Sequence, residues 1–232
     1  MPKDINLNID EMAEAGVQFG HKVSKLHPKM KPYVSGVKNN VHIFDLEKTS
    51  KELQKAFNFI SKLVSDGKAI IFVSTKIQLK SLVQAAAEEC KIPYVTERWL
   101  GGTFTNFETI KKRVDYFKEL ERKKTSGELE KYTKKERLDF DREIALLKIK
   151  FDGIKDMAKL PEAVFIFGLD KDTTCAREAK RKGIKIIALC DTNVNPDMVD
   201  FMVPANDDAI SAVKYIVDKT KDVIINSESH NT

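Results

Sequence analysis

The sequence predicts an α/β domain on a parallel sheet with helices on both faces, interrupted by an antiparallel helical hairpin. Three observations carry this. Short, continuously apolar runs recur along the chain, and helix-length amphipathic stretches alternate with them. Between residues 105 and 158 the alternation stops and two heptad-like seams succeed one another. The 232 residues are 42% hydrophobic, enough for a core, and 32% charged, above the ~25% of an average soluble domain.

The elements come in order. Asn8 followed by Glu11 predicts a capped helix through about Phe19. The stretch from Gly16 to Asn40 contains Gly20, Gly36, Pro28 and Pro32 and reads as extended chain and turns. Val41–Phe44 is a short strand. From Leu46 to Asp66, Leu53, Ala56, Phe57, Ile60, Leu63 and Val64 fall at helical spacing, and Gly67 stops the helix. Ala69–Val73 is a buried strand, Thr75 with Gln78 caps a helix to about Cys90, and Pro93–Thr96 is a short strand. Later, 163–167 is a strand, 172–182 a helix, 184–189 and 201–203 strands, and 207–223 a helix.

The insertion has its own logic. Thr105 with Glu108 and Thr133 with Glu136 each predict a capping box. Phe107, Ile110, Val114 and Phe117 form one seam; Phe140, Ile144, Leu147, Phe151, Ile154 and Ala158 form the other, at alternating spacings of three and four. Narrow seams with charged flanks predict a protruding coiled-coil hairpin over 105–158. The α/β domain then takes 1–104 and 159–225, and 226–232 is a frayed tail.

Charge is uneven. Lys22, Lys25, Lys29, Lys31 and Lys38, with His21 and His27, lie in a segment from Gly16 to Asn40 that has no acidic residue. An irregular basic segment without carboxylates suits contact with phosphates, although a solvated lysine-rich loop has the same composition. Ile186 to Val213 is the mirror image: no Lys or Arg, but Asp191, Asp197, Asp200, Asp207 and Asp208. The two segments are therefore expected at opposite ends of the molecule.

Enzymatic chemistry lacks a foothold. No glycine pair is spaced G-x-G, and there is no G-x-x-x-x-G-K-[ST] or G-x-S-x-G. The cysteines, Cys90, Cys175 and Cys190, form no C-x-x-C, which fits a reducing cytoplasm. No apolar run approaches the ~20 residues of a membrane helix, and the first residues show no signal pattern. Asp191, Asp207 and Asp208 follow strands and converge at the carboxyl edge of a parallel sheet, where they would suit a divalent cation. Helix caps and Asx-turns account for the same residues more simply.

An ordered set of motifs then carries a resemblance. It comprises Gly16-Val-Gln-Phe-Gly-His21, Pro28-Lys-Met-Lys-Pro32, Val41-His-Ile-Phe-Asp-Leu-Glu-Lys-Thr49, and Arg98-Trp-Leu-Gly-Gly102 leading into Thr105-Asn106. Gly153-Ile-Lys-Asp-Met157 before Leu160-Pro161, then Asp191-Thr-Asn193, Asn195-Pro-Asp197, Val199-Asp-Phe201 and Pro204-Ala-Asn-Asp-Asp-Ala-Ile210, complete it. The set resembles the bacterial form of the small-subunit ribosomal protein S-two family over about residues 7 to 223. The resemblance implies a flavodoxin-like domain and a structural, non-enzymatic role on the cytoplasmic ribosome. It implies binding to small-subunit ribosomal RNA and contact with neighbouring ribosomal proteins, including docking of the messenger-binding protein S-one. No cofactor is required, and no membrane, DNA or second copy of the chain is expected as partner.

The expected RNA contacts are His21, Lys22, Lys25, His27, Lys29, Lys31 and Lys38, together with Arg98 and the hairpin lysines Lys123, Lys124, Lys131, Lys134 and Lys135. Trp99 reads as a core plug at the hairpin's base. The rival readings are a nucleotide-dependent α/β enzyme and a stand-alone interaction adaptor.

Overall fold

The computed structural model describes residues 7–228, and its first elements depart from the sequence expectation. Helix α1 spans only Ile9–Glu14, with the Asn8 side chain accepting from the Asp10 N–H. Gly16 at φ +79° turns the chain out of the helix. The chain then builds a three-stranded antiparallel sheet of β1 (Phe19–Lys22), β2 (Val34–Lys38) and β3 (Val41–Phe44), in the order β1-β3-β2. Only β3 was legible, because only its side chains alternate between half-buried and buried. The edge strands are largely exposed, so no apolar period marks them.

Asp45 caps α2 (Leu46–Ser65) by accepting from the N–H groups of Glu47 and Lys48. The helix buries Leu53, Ala56, Phe57, Ile60 and Leu63, the stripe its spacing predicts. Five parallel strands then build the central sheet: β4 (Ile70–Val73), β5 (Tyr94–Val95), β6 (Ala163–Ile166), β7 (Lys185–Cys190) and β8 (Phe201–Pro204). Their spatial order is β5-β4-β6-β7-β8, the flavodoxin-like arrangement, with the reversal of strand order between β4 and β6.

Alternation within these strands makes two cores. Ile70, Phe72, Ala163 and Phe165 point into one, against α1, α2, α3 (Lys80–Glu89) and the last helix. Ile71, Val73, Val164 and Ile166 point into the other. That second core is closed by the inserted helices α4 (Phe107–Thr125) and α5 (Lys134–Phe151) and by α6 (Thr173–Lys182). Met30 and Phe44 of the N-terminal segment also belong to it. The last helix is α7 (Ile210–Glu228).

Helices α4 and α5 run antiparallel, tied by Tyr116 Oη donating to Glu143 at 3.1 Å and by the ion pair Lys124–Asp141 at 2.7 Å, and Lys118 reaches past the end of α5 to Asp156 at 3.2 Å. Val114, Phe117, Ile144, Phe151 and Ile154 of the expected seams are buried, as is Leu120. The Thr133–Glu136 capping box forms reciprocally. The one expected at Thr105 does not: Asn106 precedes α4 and Thr105 is drawn away to Glu178.

Two other ends differ. Thr75 does not cap α3, which is preceded by a 3-10 turn over Ile77–Leu79; the Thr75 N–H donates instead to Asp172 at 3.0 Å. Fraying was expected from Asn226, yet α7 continues to Glu228, with the Ser227 hydroxyl 2.6 Å from the Val223 carbonyl and 2.9 Å from Ser61 Oγ. The rest of that tail lies outside the described residues. Among the described residues, no helix is long and apolar enough to cross a membrane.

Candidate functional site

The reversal of strand order between β4 and β6 opens a crevice at the carboxyl ends of the strands, the usual ligand position in such sheets. Here a side chain of the protein fills it. Lys76 lies just beyond β4 and over Gly168, where an added Cβ would sit 2.9 Å from Lys76 Cε. Its ammonium is 2.7 Å from Asp207, 2.8 Å from Asp208 and 3.4 Å from Asp170. Burial opposes the charge on Lys76, but Asp207, through its charge and hydrogen bond, and Asp208 outweigh it and hold the pKa above its ordinary value. Burial pushes Asp207 up to about 7 despite Lys76, with the Asp191 charge adding to the rise.

The N-terminal sheet docks on this edge. His21 Nδ1 lies 2.9 Å from Asp191 and Nε2 lies 3.5 Å from Asp208. The His21 N–H donates to Thr192 Oγ1 and the His27 N–H to the Thr192 carbonyl, at 3.0 and 2.7 Å. Gly20 makes the approach possible, since a Cβ there would meet Thr192 Cγ2 at 2.6 Å. The hydrogen bond to Asp191 raises the His21 pKa, burial opposes it, and the carboxylates of Asp191, Asp208 and Asp207 add to the rise.

The basic and acidic segments are therefore in contact, not at opposite ends as their mirror-image charge suggested. Lys29 is ion-paired with Asp197, which completes the interleaving. Opposite charge makes this contact favourable, and no sequence period reports it. Nor do Asp207 and Asp208 cap α7. The Asn206 side chain accepts from the Asp208 and Ala209 N–H groups and leaves both carboxylates to Lys76.

The three carboxylates named for a cation do not converge as a set. Asp207 is buried against Lys76, and the group whose ligand atoms lie within 4.8 Å of one another is His21, Asp191 and Asp208. An imidazole with two carboxylates is a chemically reasonable donor set for a divalent cation, with Asp208 the exposed member. His21 was legible as a candidate contact but not as a partner of these aspartates.

The lysines and the arginine among the expected RNA contacts divide into two groups. Lys22, Lys25, Lys31, Lys38, Arg98, Lys134 and Lys135 are exposed and, among the described residues, make no ion pair. Lys29, Lys123 and Lys124 are held by Asp197, Glu119 and Asp141, and Lys131 lies 5.5 Å from the centre of the Tyr132 ring. His27 accepts from the Lys29 N–H through Nδ1 at 3.3 Å, opening a 3-10 turn over Pro28–Tyr33.

The base of the inserted helices is built on one carboxylate. Glu178 of α6 accepts from the N–H groups of Gly102, Phe104 and Thr105, from Thr105 Oγ1 and from Trp99 Nε1, at 2.8 to 3.3 Å. Trp99 packs edge-on to Phe104 with ring centres 4.7 Å apart, a core plug as expected. Glu178 was invisible to sequence reasoning because a Glu on a basic helix reads as an exposed charge.

Comparison with known proteins agrees with this architecture. A family model described as Ribosomal protein S2 matches residues 12–227. The small ribosomal subunit protein uS2 of Dehalococcoides mccartyi is 42% identical over 222 residues, 96% of this chain and 91% of that protein. The proteins of the same name from Endomicrobium trichonymphae and Francisella tularensis subsp. novicida are 42% and 41% identical, over 97% and 94% of this chain and 92% and 91% of theirs.

Proposed function

The chain belongs to the ribosomal protein S2 family, and on that premise we propose that it holds small-subunit ribosomal RNA by charge and shape and helps dock the messenger-binding protein S-one. It is a structural protein of the small ribosomal subunit and not an enzyme. The observation that supports RNA binding is a set of exposed cations on the N-terminal segment, Lys22, Lys25, Lys31 and Lys38, which make no ion pair among the described residues and are held on a scaffold of strands and 3-10 turns. Phosphate neutralisation needs accessible cations in a fixed arrangement, not particular base contacts.

The test is to replace Lys22, Lys25, Lys29 and Lys31 with Ala and measure binding to small-subunit RNA across a salt series. The variant should bind more weakly and with a flatter salt dependence, since each phosphate contact contributes about 0.7–0.9 to the slope of log K against log salt. An unchanged slope would overturn the role of the segment.

Docking of a protein partner fits the opposite chemistry. Asp208 is half exposed at the carboxyl edge, and Ile77 and Ile210, 84% and 53% exposed, lie just beyond β4 and at the start of α7. An acidic rim with protruding apolar side chains suits a protein surface better than RNA. Ile77→Ser with Ile210→Ser should weaken retention of S-one on the subunit while leaving RNA binding intact, since neither side chain touches the basic segment's ion pairs. The convergence of His21, Asp191 and Asp208 favours a second reading, a divalent cation at that edge, and calorimetric titration of the chain with divalent cations tests it.

A further inference from the structure

Helix α6 carries Arg177, Lys180, Arg181 and Lys182 and one acidic residue, Glu178. Glu178 is 6% exposed and faces inward, where the backbone N–H groups of the 102–105 loop neutralise it. The outward face is therefore basic without relief. Arg177 and Arg181 are one turn apart on the same stripe as Thr174, and Lys182 extends the patch at the end of the helix. Among the described residues, Arg177, Arg181 and Lys182 are exposed and make no ion pair.

Position joins this patch to the N-terminal segment. Lys180 Nζ donates to the carbonyl of Asp197 at 3.2 Å, and the Asp197 carboxylate is bound by Lys29. Cys175, Ala176 and Ala179 on the inner side of α6 share one core with Met30 and Phe44 of the N-terminal segment and with α4 and α5. The segment, α6 and the inserted helices thus lie over the same side of the central sheet.

We propose that the outer face of α6, through Arg177, Arg181 and Lys182, is a second docking surface for the phosphate backbone of structured RNA, continuous with the N-terminal segment. The inference rests on the RNA-binding reading above and extends it to residues outside the segment and the hairpin. The partner is a polyanion because the patch offers cations and no exposed apolar side chain. Two arginines a helical turn apart present planar donor forks suited to phosphate oxygens.

The test uses the full chain, purified small-subunit RNA and small subunits depleted of this protein. Arg177→Ala/Arg181→Ala/Lys182→Ala should lower the magnitude of the salt slope on RNA by about two to three, at 0.7–0.9 per lost contact. Arg177→Lys/Arg181→Lys keeps the charge and should keep the slope. A wild-type chain without salt-dependent binding would overturn the RNA reading and this extension together. A wild-type slope in the Ala variant would overturn only the α6 contact. Weaker binding to depleted subunits with an unchanged slope on RNA would also overturn it, and would assign the face to a protein neighbour. Loss in the Lys variant equal to that in the Ala variant would overturn the charge argument.

Discussion

The indole N–H of Trp99 donates to Glu178 Oε1 at 3.3 Å and ties the entry of the inserted helices to α6. Glu178 serves as an internal anion for the loop that begins α4: three backbone N–H groups and one hydroxyl converge on the same carboxylate. Its removal leaves several donors unsatisfied at once. Glu178→Ala should destabilise the protein by about 3 kcal/mol or more, and Glu178→Gln by less, because the amide keeps one acceptor oxygen. Trp99 is the single tryptophan, so its emission reports on this loop directly. Urea unfolding monitored by that emission should show both losses, with a red-shifted native spectrum in the Ala variant. A native spectrum identical to wild type would contradict the anchoring role.

The same carboxylate predicts a pH dependence. Burial works against its charge, but the backbone donors of Gly102, Phe104 and Thr105 and the indole hold its pKa below the ordinary carboxylate value. A lowered pKa contributes stability that is present above the unfolded value, about 4.3, and is lost as pH falls through the folded value. Acid titrations of wild type and Glu178→Gln should converge at the acid end, separate as pH rises through the lowered folded value towards about 4.3, and stay a constant distance apart above it. Curves that stay parallel through the acid limb as well would mean that the charge contributes nothing.

How far the sequence reveals this molecule depends on where information is local. The parallel strands were legible because each is a continuous apolar run, as in Ile70–Val73 and Ala163–Ile166, all fully buried. Helix α2 was legible because its buried stripe sets a 3.6-residue period. β1 and β2 were not, since an exposed edge strand carries no such period, and a glycine within each strand and the prolines between them mimic a loop. The site failed for a different reason. His21 meets Asp191, and Lys76 meets Asp207, across more than a hundred residues of chain, and charges far apart in sequence carry no mark of their pairing.

Lysines in the basic segment should not be equivalent. Lys25 is exposed and, among the described residues, without an ion pair, whereas Lys29 is held by Asp197. Lys25→Ala should reduce the salt slope of RNA binding by one contact's worth, about 0.7–0.9. Lys29→Ala should change it by less, since that cation is already neutralised. Equal slopes in the two single variants would show that the ion pair opens on binding.

Gly153 should not tolerate a side chain. A Cβ there would run into the Tyr94 carbonyl oxygen and ring, so the turn after α5 lies against the edge strand β5 with no room to spare. Gly153→Ala must push the turn away from that edge, with a cost of about 1–3 kcal/mol for overpacking. A lower melting temperature checks this, with Gly183→Ala as a contrast: at that residue φ is +71° but nothing lies within 4 Å, so only backbone strain is added.

Lys76 and Asp207 should be coupled well beyond a surface ion pair. Their side chains are 4% and 1% exposed and 2.7 Å apart, so neither charge has water to fall back on. Lys76→Met leaves Asp207, Asp208 and Asp170 without their shared cation, and breaking such a buried arrangement costs about 3–5 kcal/mol. Asp207→Asn alone leaves Lys76 with Asp208 and Asp170 and should cost less. With Asp207 made neutral, Lys76→Met has one fewer carboxylate to strand, so the double variant should be more stable than the sum of the single losses predicts. The cycle isolates the pair because Asp208, half exposed, can turn to solvent. Additive losses would mean that Lys76 acts by filling space over Gly168, and a Met of similar length would then retain most of the stability.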